Sequence, residues 1–149
     1  IGDFMQELEV IVVEQDSNIA NKIMTFLKSI DTIASVEENL ITNGVALKQE
    51  EDIVGFITYE EYSEYGLIRY FIFQKQIALG KVIEMFDSLC DVARLRELAG
   101  LISIGKNQEV IDLFESLGFN KIDKENFLVG GKTVYGTDLE NATILLHKL

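Results

Sequence analysis

Gly66–Gln74 reads GLIRYFIFQ. It is followed by KQIALGK, Lys75–Lys81, and then by apolar residues at helical spacing: Val82, Ile83, Phe86, Leu89, Cys90 and Ala93. Bulky β-formers giving way to a helical period describe a strand feeding a helix. LISI, Leu101–Ile104, is a second apolar strand close behind that helix. Strand, helix and strand at this spacing predict a parallel pair joined by a right-handed crossover. The loop Lys75–Gly80 then lies at the carboxyl end of its strand and the amino end of its helix. Unpaired N–H groups and the helix dipole favour an anion there, a phosphate above all.

Working outward, GKNQEVIDLFESLGF, Gly105–Phe119, predicts a short helix with Val110, Ile111, Phe114 and Leu117 inward, closed by Gly118 just past its end. Upstream, LEVIVVE, Leu8–Glu14, predicts a strand, and Gln15-Asp16-Ser17 supply polar caps for a helix starting near Asn18. Ile19, Ile23, Phe26, Leu27 and Ile30 form its apolar face. Asp31–Asn43 is weakly patterned, and a short helix and an irregular strand both fit it. From Gly44 the period switches to two: Val45–Glu50 alternates, Glu51-Asp52 make a turn, and IVGFITY, Ile53–Tyr59, completes a hairpin. Glu60–Gly66 reads as a second, polar turn into the central strand. Beyond Phe119, one strand is expected within Asn126–Tyr135, broken by Gly130-Gly131, and another at Ala142–His147. The sum is an α/β (α+β) fold with a mixed, mostly antiparallel central sheet flanked by helices.

The 149 residues suit one domain spanning the whole chain, and 48% hydrophobic residues supply an ample core. Proline is absent, so Gly, Asn and Asp must make the turns. No apolar run reaches the roughly 18 residues of a membrane span, and the amino terminus lacks the basic-then-apolar order of a secretory signal. With the single Cys90 excluding an internal disulfide framework, a cytoplasmic protein is expected, with no membrane partner. The net charge of -12, from 25 acids against 13 bases, argues against nucleic acid and for a cationic partner. Lys75, Lys81 and Lys106 supply local positive charge beside the predicted anion site. Val45–Glu50 and Ala142–His147, taken as edge strands, offer a route to a homodimer.

In its second short helix the chain resembles the GNAT superfamily of acyl-CoA-dependent N-acetyltransferases. That family commonly places Asn, an apolar residue three positions on, and an ending Leu-Tyr-Glu-x-Leu-Gly-Phe. Here the positions are Asn107, Val110 and Leu113-Phe114-Glu115-Ser116-Leu117-Gly118-Phe119. The Gly-Phe within IVGFITY, Glu14-Gln15-Asp16 before the first helix, and the closing ILLHKL also resemble the family pattern. The family's acyl-CoA loop runs Arg or Gln, two residues, Gly, one residue, then Gly or Ala. Its best fit is Lys75-Gln76-Ile77-Ala78-Leu79-Gly80, with Lys75 for the first residue and Ala78 for the first glycine. Close approach of backbone to a pyrophosphate tolerates a methyl at position 78 only if φ there is negative and Cβ points away.

The resemblance implies acetyl transfer from acetyl-CoA to a primary amine of a small molecule or peptide, with no metal. It implies a cofactor site at Phe73, Lys75, Ala78, Leu79, Gly80, Lys81, Asn107 and Phe114. The alternative is a non-catalytic acyl-CoA-binding or protein-interaction module on the same fold. An amine of pKa about 10.4 must lose a proton before attack, and the leaving thiolate needs stabilisation. The tyrosine that often protonates that sulfur in the family is here Phe114, which has no proton to give. Tyr70 is the catalytic candidate that remains on the central strand. Glu60, Glu61 and Glu64 with Tyr59, Tyr62 and Tyr65 form an acidic, aromatic turn suited to a cationic substrate, while Ser103, Tyr135 and His147 are weaker candidates.

Overall fold

The structure is a computed structural model that describes residues 7–149. Part of the amino-terminal reading above falls on residues 1–6, outside the described residues. Seven strands form one mixed, mostly antiparallel sheet. They are β1 (Leu8–Val12), β2 (Val45–Gln49), β3 (Asp52–Tyr62), β4 (Tyr65–Phe73), β5 (Gly100–Gly105), β6 (Asn120–Lys121) and β7 (Thr143–Lys148), ordered β1-β2-β3-β4-β5-β7-β6. The helices are α1 (Ala20–Lys28), α2 (Leu79–Leu95) and α3 (Gln108–Ser116). The chain divides into two compact units, one from the residues up to Tyr59 with Arg69–Val92, the other from Glu60–Ile68 with Ala93–Leu149.

In the first unit β1 runs antiparallel to β2, Leu8 opposite Gln49, and β2 antiparallel to β3, Gln49 opposite Asp52. The turn is therefore Glu50-Glu51, one residue earlier than expected, and Glu50 takes the left-handed φ of +55°. β1 stops at Val12, and Val13–Gln15 and Ser17–Ile19 are 3-10 turns leading into α1. Asp16 accepts from the N–H of Asn18 at 3.2 Å, as its place among the capping residues predicts. Ile19, Ile23 and Leu27 bury against Val13, Ile41, Ala46, Ile53 and Phe56. A fully buried side chain of this kind contributes about 1.5–3 kcal/mol. Glu38–Asn43 of the weakly patterned segment is a 3-10 helix, anchored by buried Leu40 and Ile41. The Leu40 carbonyl accepts from the buried Thr58 hydroxyl at 2.6 Å.

α2 buries Val82, Met85, Phe86, Leu89 and Cys90, while Ile83 is 36% exposed. The expectation that Ile83 faces the core is corrected. The inward stripe steps by three and four from Val82, and Ile83 lies about 100° around from it, where Met85 does not.

In the second unit β4 and β5 are parallel, with Tyr65 opposite Gly100, Gly66 opposite Leu101 and Leu67 opposite Ile102. β5 pairs antiparallel with β7 from Gly100–Lys148 to Gly105–Thr143, and β6 pairs with β7 at Leu145 and Leu146. The broad polar turn expected at Glu60–Gly66 shrinks to Ser63-Glu64, with Ser63 at φ +57°, because Tyr62 and Tyr65 continue the strands. The strand expected within Asn126–Tyr135 does not form. Gly130 and Gly131, at φ +59° and +79°, make a tight turn closed by one bridge, Val129 to Lys132. Around it Phe127, Val134 and Leu139 act as separate anchors on Ile102 and Ile144. β2 and β7 are inner strands, so the expected edges at Val45–Glu50 and Ala142–His147 are also corrected. β1 and β6 are the ends of the sheet.

Candidate active site

The loop between β4 and α2 lies in the first unit. Ile77 is buried and holds it down, its N–H donating to the Gln74 carbonyl at 3.1 Å. The Ala78 carbonyl accepts from Lys81 and Val82 at 2.9 and 3.3 Å, so Ala78 is the residue at which the helix begins. Helix geometry leaves the next amides, those of Leu79 and Gly80, without an acceptor inside α2. With 17 residues behind them, they carry the positive end of a full helix dipole.

Ala78 is not among the left-handed residues, so its methyl sits on ordinary backbone. Gly80 is not left-handed either, and a Cβ built on it meets nothing within 4 Å. Neither conformation nor packing within the chain requires glycine there. Leu79 is 53% exposed. Lys75 is exposed, and Lys81 pairs with Glu84 at 3.3 Å, which offsets part of its charge. Phe73 ends β4, tilted against Phe71 at 5.6 Å, and the missing side chain of Gly55 leaves room for it.

Tyr70 occupies φ +54° in the middle of β4, a conformation that costs a non-glycine residue about 1–3 kcal/mol. Its hydroxyl accepts from the Glu37 N–H at 2.9 Å and donates to the Ser35 carbonyl at 3.3 Å. Arg69 stacks over its ring at 5.4 Å and pairs with Glu37 at 3.1 Å. The phenol thus ties the irregular segment before Glu38 to β4, with both donor and acceptor engaged.

Asn107 and Phe114 lie in the second unit. The Asn107 carboxamide caps α3, accepting from the Val110 N–H at 3.0 Å. Phe114 is 5% exposed and meets Phe119 edge-on at 5.0 Å. Gly118, at φ +97°, ends the helix. His147 packs on Phe119 at 5.3 Å with Nδ1 3.3 Å from the Gly118 carbonyl, so this histidine belongs to the helix end. Ser103 is 1% exposed, and its hydroxyl finds no partner among the described residues. Tyr135 is exposed and lines a cleft of about 520 Å³ with Tyr62, Lys132 and Thr137. Glu60 and Tyr62 line another of about 480 Å³ with Asp138. Sequence reasoning missed Lys132, Thr137 and Asp138. Their one signal was polar residues following a double glycine.

The chain carries the GNAT fold. An acetyltransferase of the GNAT family from Staphylococcus aureus Mu50 superposes with TM-score 0.67 at 14% identity, over 96% of this chain and 99% of its own. The ribosomal-protein-S18-alanine N-acetyltransferase of Escherichia coli gives 0.63 at 15%, over 95% and 94%. N-acetylglutamate synthase from Neisseria gonorrhoeae, in complex with coenzyme A and L-arginine, gives 0.69 at 16%, over 95% of this chain, which spans about a third (33%) of that synthase. No family model and no curated protein matches the sequence. Among the described residues no helix is long and apolar enough to cross a membrane.

Proposed function

We propose that this chain transfers an acetyl group from acetyl-CoA to a primary amine of a small molecule or peptide, in the cytoplasm. The observation that carries the reading is Gly80. In a helix, glycine costs about 0.5–1 kcal/mol against alanine, and here the chain gains neither a turn nor a close packing contact from it. Bare backbone beside the amides of a helix start is what a pyrophosphate needs in order to approach. Leu79 and Gly80 would hold it by their N–H groups, with Lys75 and Lys81 adding charge and Ala78 tolerated on its ordinary backbone. Phe73 would flank the adjoining arm on β4. The resemblance counts Asn107 and Phe114 among the cofactor residues as well, and within their own unit they fix the two ends of α3. The GNAT fold and the coenzyme A bound to the Neisseria synthase support acyl-CoA as the donor.

A second reading, an acyl-CoA-binding module without catalysis, is favoured by two observations. Phe114 has no proton to give, and the Tyr70 hydroxyl is already engaged at Ser35 and Glu37. Calorimetric titration with acetyl-CoA, at low and moderate salt, tests what the two readings share. Saturable binding that Gly80→Glu abolishes is the expected result, and no binding at millimolar acetyl-CoA overturns both. Acetyl transfer to a panel of amines then separates them.

A further inference from the structure

Two clefts of the second unit share Tyr62 and Thr137 in their walls. One, of about 480 Å³, carries Glu60 and Asp138 beside the apolar side chains of Leu67, Ile104 and Leu139. Its described lining residues include no base. The other, of about 520 Å³, carries Lys132 with Ser63, Thr133 and Tyr135, and its described lining residues include no acid. Both volumes fall in the range of small-molecule sites, which are about 300–1,000 Å³. Charges of opposite sign are thus segregated into adjoining clefts, with hydroxyls of Tyr62 and Thr137 at the junction and an apolar floor on the acidic side.

We infer that this pair of clefts binds the acceptor by both ends: a zwitterion, an amino acid or short peptide, with its ammonium toward Glu60 and Asp138 and its carboxylate toward Lys132. The lysine ammonium serves as a point charge for a carboxylate, and the neighbouring Thr133 and Tyr135 hydroxyls donate hydrogen bonds to the same group, those of Thr137 and Ser63 being held by Val134 and Glu64. The Asp138 carboxylate offers acceptors to an ammonium, Glu60 adds negative charge beside it, and Leu67, Ile104 and Leu139 take an apolar side chain. A diamine would meet Lys132 with a like charge, and a simple anion would meet Glu60 and Asp138, so both are disfavoured. The inference names the substrate class of the proposed transferase and rests on that reading for what happens to the amine.

The test is calorimetric titration of the full chain with leucylglycine, leucylglycine amide, N-acetyl-leucylglycine and putrescine, each with and without saturating CoA. Leucylglycine is expected to bind about fivefold or more tighter than the other three, the discrimination a partly exposed ion pair supplies. Lys132→Gln should erase the preference over the amide and leave the preference over the N-acetyl form. Asp138→Asn should weaken the second preference and leave the first. Equal binding of the amide or putrescine, selectivity unmoved by Lys132→Gln, or no binding of any of the four overturns the inference. Because these titrations do not depend on acetyl transfer, leucylglycine binding without acetyl-CoA binding would sink the transferase and leave the bipolar site. Acetyl-CoA binding with no selectivity among the four does the reverse.

Discussion

Phe114 and Phe119 close α3 together: the Phe119 N–H donates to the Phe114 carbonyl at 3.0 Å, and their rings meet edge-on at 5.0 Å. With the Gly118 N–H on the Glu115 carbonyl at 3.1 Å, this is a Schellman ending with its hydrophobic contact in place. Phe114 therefore does structural work that any general acid at this position would have to share. Phe114→Ala should cost about 3–5 kcal/mol, read as a fall in the urea midpoint with little change in slope. A loss below about 1 kcal/mol would show that the ring is not part of the core.

Gly80 should separate stability from ligand binding. Gly80→Ala should stabilise the chain by at most about 0.5–1 kcal/mol, the helix-interior value, because Gly80 stands in the first turn of α2 and the new methyl meets no atom within 4 Å. Acetyl-CoA binding should survive Gly80→Ala, the family's other residue at this position, and be lost in Gly80→Glu, whose side chain and charge fill the space beside the amides of Leu79 and Gly80. A Gly80→Glu variant that still binds acetyl-CoA in calorimetry would show that the open space at this position is not used.

Ser103 places a hydroxyl in the core without a partner among the described residues. Such a group carries a desolvation penalty of about 1–3 kcal/mol, which its removal recovers against the small void left behind. Ser103→Ala should be neutral or stabilising by up to about 1 kcal/mol, a rise in Tm of about 2–4 °C at most. Clear destabilisation would mean that the hydroxyl is satisfied in solution.

Glu64, in the turn between β3 and β4, accepts from the Gly130 N–H at 2.8 Å across 66 residues of sequence. That bond, and behind it Glu64's own N–H, hold the carboxyl below the usual carboxylate range. A folded pKa below the unfolded one contributes stability that is present above the unfolded value, about 4.3, and is lost as pH falls through the folded value. Urea midpoints measured from about pH 7 down to about pH 3 should fall less steeply for Glu64→Gln than for the parent chain. The lowered carboxyl of Glu51, held by Lys22, contributes equally to both proteins and drops out of the difference. Identical slopes would mean that the Gly130 contact is absent in solution.

Much of this architecture was legible because it is local. Asn107 reads as a cap and Gly118 as a terminator from spacing alone, and both do those jobs at α3. Strand, loop and helix around Lys75–Gly80 were legible for the same reason, a change of period within ten or so residues. The first errors arose where two patterns overlapped. Ile83 and Met85 are both apolar on α2, and only the helix phase set by Val82 and Phe86 tells them apart. Tyr62 and Tyr65 sit among acids that read as a turn, yet they extend β3 and β4 until only Ser63-Glu64 is left between them.

By itself the sequence determined most of the succession of strands and helices, the helix caps, and the loop at the start of α2, since each depends on residues a few positions apart, while it put a strand within Asn126–Tyr135 and none at Asn120–Lys121. Tertiary structure alone decided the insertion of β7 between β5 and β6, which turned an expected edge into an inner strand. It also decided the left-handed backbone of Tyr70 with its hydroxyl on Ser35 and Glu37, and the meeting of Glu60 and Tyr62 with Thr137 and Asp138 in one cleft. These relationships join residues 24 to 78 positions apart in the chain. What selects them is packing and hydrogen bonding between distant segments, which leave no period or spacing in any one stretch.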